Sequence, residues 1–171
     1  MASGASAQVP VINEICYDPE GADAGHEFVE LYNAGPQPAS LIGIRLEFAN
    51  GADGPVWQTR WTATAADTIA CAGFFLIADR GWAADPPPQA EVTLGLQNGP
   101  DAVRLIRDGT VLDRVGYGDL QDAELYESQP AVDVASGQAL ARRPDGQDTE
   151  VNSVDLVAAE PTPGRMKAFA Y

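Results

Sequence analysis

The densest group of reactive side chains lies in residues 12–33, which read INEICYDPEGADAGHEFVELYN. The stretch also contains Cys16 and His26, and His26 is the only histidine of the chain. No lysine or arginine precedes Arg45. These residue types could hold a metal ion, serve a hydrolase, or simply form two strands and a solvated loop. The six carboxylates belong to Glu14, Asp18, Glu20, Asp23, Glu27 and Glu30.

The residue types give little support to hydrolysis. A Ser-His-Asp triad needs a histidine placed between a serine and a carboxylate, and the G-x-S-x-G turn is missing from the sequence. Zinc sites need several His and Cys ligands, whereas the chain has His26 and the distant Cys16 and Cys71. Paired carboxylates suit glycoside hydrolysis, but 25 acidic residues supply some pair in any fold. We therefore expect no catalytic or cofactor-binding residues, and no enzyme.

Calcium is the ion that the acidic loops suit best, because it takes oxygen ligands. Asp18, Glu20 and Asp23 lie in one glycine-containing loop, and residues 145–155 supply more carboxylates together with Asn152. Neither loop matches the EF-hand pattern. The alternative is that these side chains bond their own backbone to hold turns. No metal site is assigned, and calcium at Asp18, Glu20 and Asp23 is kept as an alternative.

The charge of the chain restricts its partners. Twenty-five acidic against ten basic residues give a formal charge of -15, which repels nucleic acid and anionic lipid. The densest basic pair, Arg142-Arg143, is too small for a phosphate groove. No apolar run reaches the roughly 18 residues of a membrane span. A protein or a carbohydrate is the expected partner.

Two features leave alternatives open. Cys16 and Cys71 could form one disulfide in an exported protein, or be two small buried residues. Ala5-Ser6-Ala7 followed by Gln8 resembles the remnant of a signal-peptide cleavage site, and the alternative is a flexible tail. The oligomeric state is not indicated by the sequence.

Short apolar runs broken by Gly, Pro, Asn and Asp predict an all-β sandwich with little helix. GFFLIAD predicts a central strand that is buried on both sides, and Asp108-Gly109 predicts a type I′ hairpin turn. Residues 119–126 could form a turn or two of helix, and residues 85–88 read as a stiff proline spacer. About nine strands are predicted, near residues 9–17, 27–33, 42–50, 56–62, 73–79, 91–96, 101–107, 110–117 and 137–143.

The three tryptophans, Trp57, Trp61 and Trp82, could stack on sugar rings or fill a core. Trp57 and Trp61 are an even number of residues apart, so they share a face if the strand is regular. The acidic residues of the first two strands raise a second question, namely which groups pair with them if they are buried. Acids that alternate with core residues need partners if they are buried, and Arg45 is the first base that the chain offers. His26 is expected to be exposed at the start of the second strand.

Taken in order, these motifs resemble the bacterial form of the lamin tail domain. That family begins with an apolar strand carrying Asn-Glu, a Tyr-Asp-Pro loop, and then Glu-Phe-Val-Glu-Leu and an Asn, as residues 9–33 do. FFLIAD, LGLQNGPDAVRLIRDGTVLDRVGYG and ALARRPDGQDTEVNSVDL…PTPG are similar to its later strands and closing segment. The sequence departs from the family at Ile44, where many members have Trp, at residues 50–70 and at the last seven residues. Any special surface is therefore expected around Trp57, Arg60 and Trp61.

The resemblance implies an immunoglobulin-like β-sandwich without catalytic residues, over residues 9–164, between a flexible tail at 1–8 and a C-terminal tail at 165–171. It implies a non-catalytic binding or adhesion module of an exported or cell-surface bacterial protein, located outside the cell. One alternative is an accessory or regulatory domain of an extracellular nuclease or phosphatase system, dependent on calcium. Another is a structural role like that of the nuclear lamina, although this chain lacks a filament-forming rod.

Overall fold

The structure, a computed structural model, describes residues 9–167. Two sheets, antiparallel except for one strand pair, pack face to face, as the alternation of apolar residues predicts. The strands are β1 (Val11–Cys16), β2 (Phe28–Tyr32), β3 (Ala39–Ser40), β4 (Ile44–Asn50), β5 (Gln58–Thr62), β6 (Thr68–Ile69), β7 (Phe74–Asp79), β8 (Ala90–Val92), β9 (Asp101–Arg107), β10 (Thr110–Tyr117), β11 (Ala139–Arg142) and β12 (Leu156–Ala159). A 3₁₀ turn (Gly51–Asp53) follows β4, and a one-turn helix α1 (Asn152–Asp155) precedes β12.

The strand order is β12-β11-β1-β2-β7-β8 in the six-stranded sheet and β10-β9-β4-β5 in the four-stranded sheet. β3 and β6 form a small separate pair, and β8 joins β7 in parallel. Within the described residues no helix is long and apolar enough to cross a bilayer. This architecture is the all-β, immunoglobulin-like sandwich that the sequence predicts.

One apolar core lies between the two sheets, built from the strand residues that point inward. Trp61 packs against Phe75 across this core, with ring centroids 5.3 Å apart. Other members from the six-stranded sheet are Ile12, Ile15, Val29, Leu31, Ile77 and Leu140, and those from the four-stranded sheet are Ile44, Leu46, Phe48, Val103, Leu105 and Val115. The alternation of side chains therefore leaves a second, outward side on each sheet.

Local patterns predict the central elements correctly. β7 lies between β2 and β8, and Leu76 and Ala78 on its outer side are buried like Phe75 and Ile77 on its inner side. Asp108 and Gly109 have φ values of 50° and 81°, and a type I′ turn requires positive φ at both positions. Each of the nine predicted strands is present. The short strands β3, β6 and β12 were not predicted.

The helical turns expected at residues 119–126 do not form. This segment makes turns that press against the outer side of the four-stranded sheet. A Cβ atom at Gly116 would come within 2.5 Å of the Leu125 carbonyl oxygen, so the glycine lets the backbone of this segment pack directly on β10. The single α-helix of the described part is α1.

Arg45 is not the partner of the buried acids, contrary to the expectation from sequence order. Glu14, Glu27 and Glu30 are all buried, but Arg45 pairs with Glu47, 3.2 Å away. Glu27 accepts a hydrogen bond from the Leu96 backbone N–H, and Glu14 and Glu30 accept theirs from the C-terminal residues described below. The donors of these hydrogen bonds to the buried carboxylates are backbone N–H groups that lie far away in the sequence. Their identity therefore cannot be predicted from the order of the residues.

Both cysteines carry free thiols. Cys16 is buried and Cys71 is exposed, and burial raises the pKa of the Cys16 thiol to about 12. Residues 1–8, which include the Ala5-Ser6-Ala7 motif, and residues 168–171 lie outside the described residues. The domain limits stay a prediction, although Lys167 of the predicted C-terminal tail contacts Glu14 of the first strand.

Candidate binding surface

The outward side of the four-stranded sheet bears a row of charged residues that cross-strand pairing brings together. Arg114 on β10 lies opposite Arg104 on β9, Arg104 lies opposite Glu47 on β4, and Glu47 lies opposite Thr59 on β5. Arg45 lies two residues before Glu47 and therefore points to the same side. We call Arg45, Glu47, Arg104 and Arg114 the arginine face. It places three arginines, two of them paired with one carboxylate, on a chain whose formal charge is -15.

Glu47 organises the arginine face. Its Oε2 accepts from Arg104 Nε at 2.8 Å and lies 2.7 Å from Arg104 Nη2. Its Oε1 accepts from Arg45 Nε at 3.2 Å and from the Thr59 hydroxyl at 3.4 Å. Glu47 is only 5% exposed, whereas the side chain of Arg45 is 43% exposed. The buried carboxylate thus orients two arginines and leaves an excess of positive charge at the surface.

Trp57 forms one wall of the arginine face. The Arg104 guanidinium carbon lies 4.1 Å from the centroid of the Trp57 ring, a close cation–π contact. Trp57 also packs on a small apolar cluster at the end of the same side. This cluster consists of Ala49, Ala102, Leu120 and Leu125.

The prediction that Trp57 and Trp61 share a face is wrong. Leu46 pairs with Trp61 but Glu47 pairs with Thr59, so Arg60 is an extra, bulged residue in β5. A bulge reverses the alternation, which puts Trp61 in the core and Trp57 on the outer side. No paired tryptophan platform for sugar rings results. Trp82 lies elsewhere, edge-on against Phe28 with ring centroids 5.8 Å apart.

Three arginines of the four-stranded sheet have no carboxylate partner among residues 9–167. Arg114 donates to the Glu124 carbonyl at 2.8 Å, Arg107 to the Ser40 carbonyl at 2.8 Å, and Arg60 to the Gly95 carbonyl at 3.5 Å. Arg60 also lies 5.1 Å from the centroid of the Phe48 ring. Carbonyl oxygens orient a guanidinium but do not neutralise it. Positive charge is therefore concentrated on and beside this sheet.

The residues singled out in the opening stretch do not assemble into a site. His26 is exposed, as predicted, and its Nδ1 lies 3.1 Å from the Ala24 carbonyl. Glu20 and Asp23 are exposed and Asp18 is half-buried. Among the described residues, the carboxylate oxygens of these three acids do not gather within 4.8 Å of one another. Calcium at this loop stays a prediction.

The second acidic loop, residues 145–155, holds the backbone in place. Asn152 is buried and accepts from the backbone N–H groups of Gly116 and Glu127. Asp155 accepts from Thr149 through both N–H and hydroxyl. Side chains of this loop therefore hold the backbone, which is the role predicted from the sequence as the alternative to calcium binding.

Asp113, Glu127 and Asp148 bring carboxylate oxygens within 4.8 Å of one another. Arg142 already serves two of them: its Nη2 lies 2.8 Å from Asp113 and its Nη1 lies 3.4 Å from Asp148. The oxygens of Glu127 accept from Arg114 N–H and Asn152 Nδ2. Burial, together with the charge of Asp113, raises the pKa of Glu127 to about 8. Arg142, which sequence reasoning considered for phosphate, is fully buried in this network and unavailable to a ligand.

The sequence pointed to the correct region but missed most of the residues. Trp57 lies at the arginine face, but Arg104, Arg114 and Glu47 come from three strands whose register is invisible in the sequence. The signal that could have found them is the outward position of Arg104 between Val103 and Leu105, together with the scarcity of bases elsewhere.

Comparison with known protein families gives a match over most of the chain. The family model described as Lamin Tail Domain matches residues 3–119. This range contains every residue of the arginine face and Trp57, and it ends before β11. No curated protein matches the chain.

Proposed function

The chain belongs to the lamin tail domain family, and on that premise we propose that it is a non-catalytic binding module which recognises an acid-rich protein segment through the arginine face. The observation that supports this most directly is the concentration of arginines on one sheet of an acidic chain. Arginine is enriched in protein interfaces because its planar group binds carboxylates with two donors.

The geometry favours an acidic protein segment over a neutral sugar. A sugar needs a free aromatic face, and the Trp57 ring is already covered by Arg104. A carboxylate needs guanidinium donors, and the 43% exposed side chain of Arg45 offers them at the surface. Repulsion from the remaining acidic surface restricts how such a partner can approach, which gives orientation and specificity.

Binding of a fluorescent oligoglutamate peptide tests this proposal. The double variant Arg45→Glu/Arg114→Glu is expected to weaken binding at least tenfold, since it reverses two of the three positive charges. Arg80→Glu is the single-site charge control, because Arg80 is exposed in the loop after β7 of the other sheet. Binding of the unmodified chain should fall with rising salt.

Equal weakening by Arg80→Glu, or no binding at all at low salt, would remove the arginine face as the site. A sulfated polysaccharide and duplex DNA are run beside the peptide. Stronger binding of either one than of the peptide contradicts an acidic protein segment as the partner.

Export to the cell surface or medium is part of the same proposal and rests on the family resemblance. Fractionating cells that express the native gene tests it, and recovery of the protein only from the cytoplasm would contradict it. The accessory role in a nuclease or phosphatase system and the filament-associated role stay predictions.

A further inference from the structure

The C-terminal residues 161–167, which we call the strap, lie on the outward side of the six-stranded sheet. They follow β12 and cover Glu14 on β1 and Glu30 on β2. These two glutamates are direct cross-strand neighbours, and both are 0% exposed. Two carboxylates buried side by side are unfavourable unless donors satisfy them.

The strap supplies those donors from three of its residues. Thr162 donates to Glu14 through its backbone N–H at 2.6 Å and its hydroxyl at 2.8 Å. The Gly164 backbone N–H donates to Glu30. Lys167, the only lysine of the chain, lies 3.1 Å from Glu14 and 2.8 Å from Asp145. Asp145 also accepts from the Lys167 backbone N–H at 2.9 Å.

These contacts define which segment the groove accepts. The position of Gly164 excludes a side chain, because its φ is +71° and a Cβ atom would approach Pro86 Cγ to 2.6 Å. Lysine is required three residues later to reach two carboxylates. The groove therefore fits the pattern Thr-x-Gly-x-x-Lys in a segment that turns at the glycine.

The strap is held as a bound peptide is held. Among the described residues, no backbone–backbone hydrogen bond joins it to a strand, and the Arg165 N–H donates within the strap to the Thr162 carbonyl. Its hydrogen bonds to the rest of the domain end on carboxylates. A cavity of about 250 Å³, lined by Ala141, Val157, Ala159 and Lys167 among others, remains between the strap and β11–β12.

We propose that the groove formed by Glu14, Glu30 and Asp145 is a binding site for a Thr-x-Gly-x-x-Lys segment with a turn at its glycine, filled here by the strap of the same chain and open to the strap of a second copy. The identical sequence guarantees that any copy carries the fitting ligand. Exchange preserves every contact and changes only which chain supplies it. The site is separate from the arginine face and does not depend on the proposed function.

Two full-length variants with complementary defects test the exchange. Glu14→Gln weakens the groove but keeps the strap, and Lys167→Gln weakens the strap but keeps the groove. Each variant alone is expected to be a monomer. Mixed in equal amounts, they are expected to form a one-to-one dimer, in which the intact strap of one chain occupies the intact groove of the other. Light scattering after size exclusion measures the mass.

Two controls distinguish binding in the groove from nonspecific association. Arg165→Gln replaces Lys167→Gln in the matched mixture, because Arg165 pairs only at the surface, with Asp85; this mixture should stay monomeric. An excess of the peptide PTPGRMK should dissociate the dimer by competing for the groove. The same peptide with Lys167→Gln should need at least a tenfold higher concentration to do so.

A mixture that stays monomeric at high concentration overturns the proposal, as does a dimer that the peptide leaves intact. If Glu14→Gln fails to fold, Asp145→Asn replaces it as the groove variant, with the same expected outcome. Failure of this test leaves the arginine face untouched, because its variants and probe are different.

Discussion

The strands of the six-stranded sheet are acidic, and the strap covers Glu14 and Glu30 on their outward side, whereas the strands of the four-stranded sheet are basic, and Arg45 stays 43% exposed on theirs. The strands of the first carry Glu14, Glu30, Asp79, Glu91 and one base, Arg142. The strands of the second carry Arg45, Arg60, Arg104, Arg107 and Arg114 against Glu47, Asp101 and Asp113. The two halves of one sandwich therefore differ in the sign of their charge and in what covers it.

The difference lies in what the charges contact. Carboxylates of the six-stranded sheet accept from backbone N–H groups of irregular segments, as Asp79 does from Gly25 at 2.8 Å and from Leu94 at 3.0 Å. These acids fix loops and the strap to the sheet. Arginines of the four-stranded sheet contact mainly carbonyl oxygens and one shared carboxylate, so charge remains for another molecule. Charge in the first sheet stabilises the fold, and charge in the second is the charge on which the proposed binding depends.

Replacing an arginine by methionine in each sheet should give the largest difference in stability between the two sheets. Arg142→Met removes a fully buried guanidinium and leaves Asp113 and Asp155 as buried charges without their partner. We expect the free energy of unfolding to fall by about 3–5 kcal/mol. Arg45→Met removes a half-exposed surface pair and should change it by less than about 0.5 kcal/mol. Urea unfolding of both variants measures the difference, and similar losses would contradict the contrast.

Stability should rise as the pH falls from about 8.5 to 5.5. Burial raises the pKa of Glu27 and Glu30 to about 7 and that of Glu127 to about 8. A carboxyl group with a raised folded-state pKa contributes stability that is complete below its unfolded value of 4.5 and is lost as the pH rises through 7 to 8. At about 1.4 kcal/mol per pKa unit, the three raised pKa values together should give a gain of several kcal/mol in the free energy of unfolding over this window.

The stability measurement should be made above about pH 5, because two other carboxyl groups, those of Asp145 and Asp155, lower the stability in more acidic solution. The pKa values of Asp145 and Asp155 are lowered by their hydrogen-bond donors, so the stability they contribute is lost only as the pH falls below their usual range. Glu30→Gln should flatten the pH dependence of the urea midpoint. A variant with the unchanged slope would show that Glu30 does not contribute to it.

Arg104→Gln should remove the central contacts of the arginine face. It removes the pair with Glu47 and the contact with Trp57, and we expect a loss of about 1 kcal/mol in stability. The tryptophan emission should shift to longer wavelength, since the Trp57 ring becomes more exposed. Arg107→Gln is the matched control because Arg107 contacts the Ser40 carbonyl and no tryptophan. An emission shift in the control alone would contradict this assignment.

Calcium should have the smallest effect. The acids Asp18, Glu20 and Asp23 do not converge in the structure, so millimolar calcium is expected to leave the melting temperature unchanged. A ligand that binds only the native state must raise that temperature. A rise that Asp23→Asn abolishes would restore the calcium alternative.

Local patterns predicted the sandwich, the buried strand β7 and the hairpin turn at Asp108-Gly109, since these depend on neighbouring residues alone. The arginine face could not be predicted, because it depends on the register of three strands. Register shifts after Ile12, Leu46 and Val111 each change the alternation on which face assignments rest. The partner of Glu14 could not be predicted either, since Thr162 is 148 residues away in the chain.

The bulge at Arg60 has a consequence for how the protein behaves at high concentration. β5 ends its sheet, and an unpaired terminal strand is a template on which identical molecules can stack into fibres. The extra residue interrupts the even spacing of backbone donors and acceptors, and its guanidinium adds charge where an incoming strand would align. The residue that separates Trp57 from the core thus also protects the molecule against self-association along this margin.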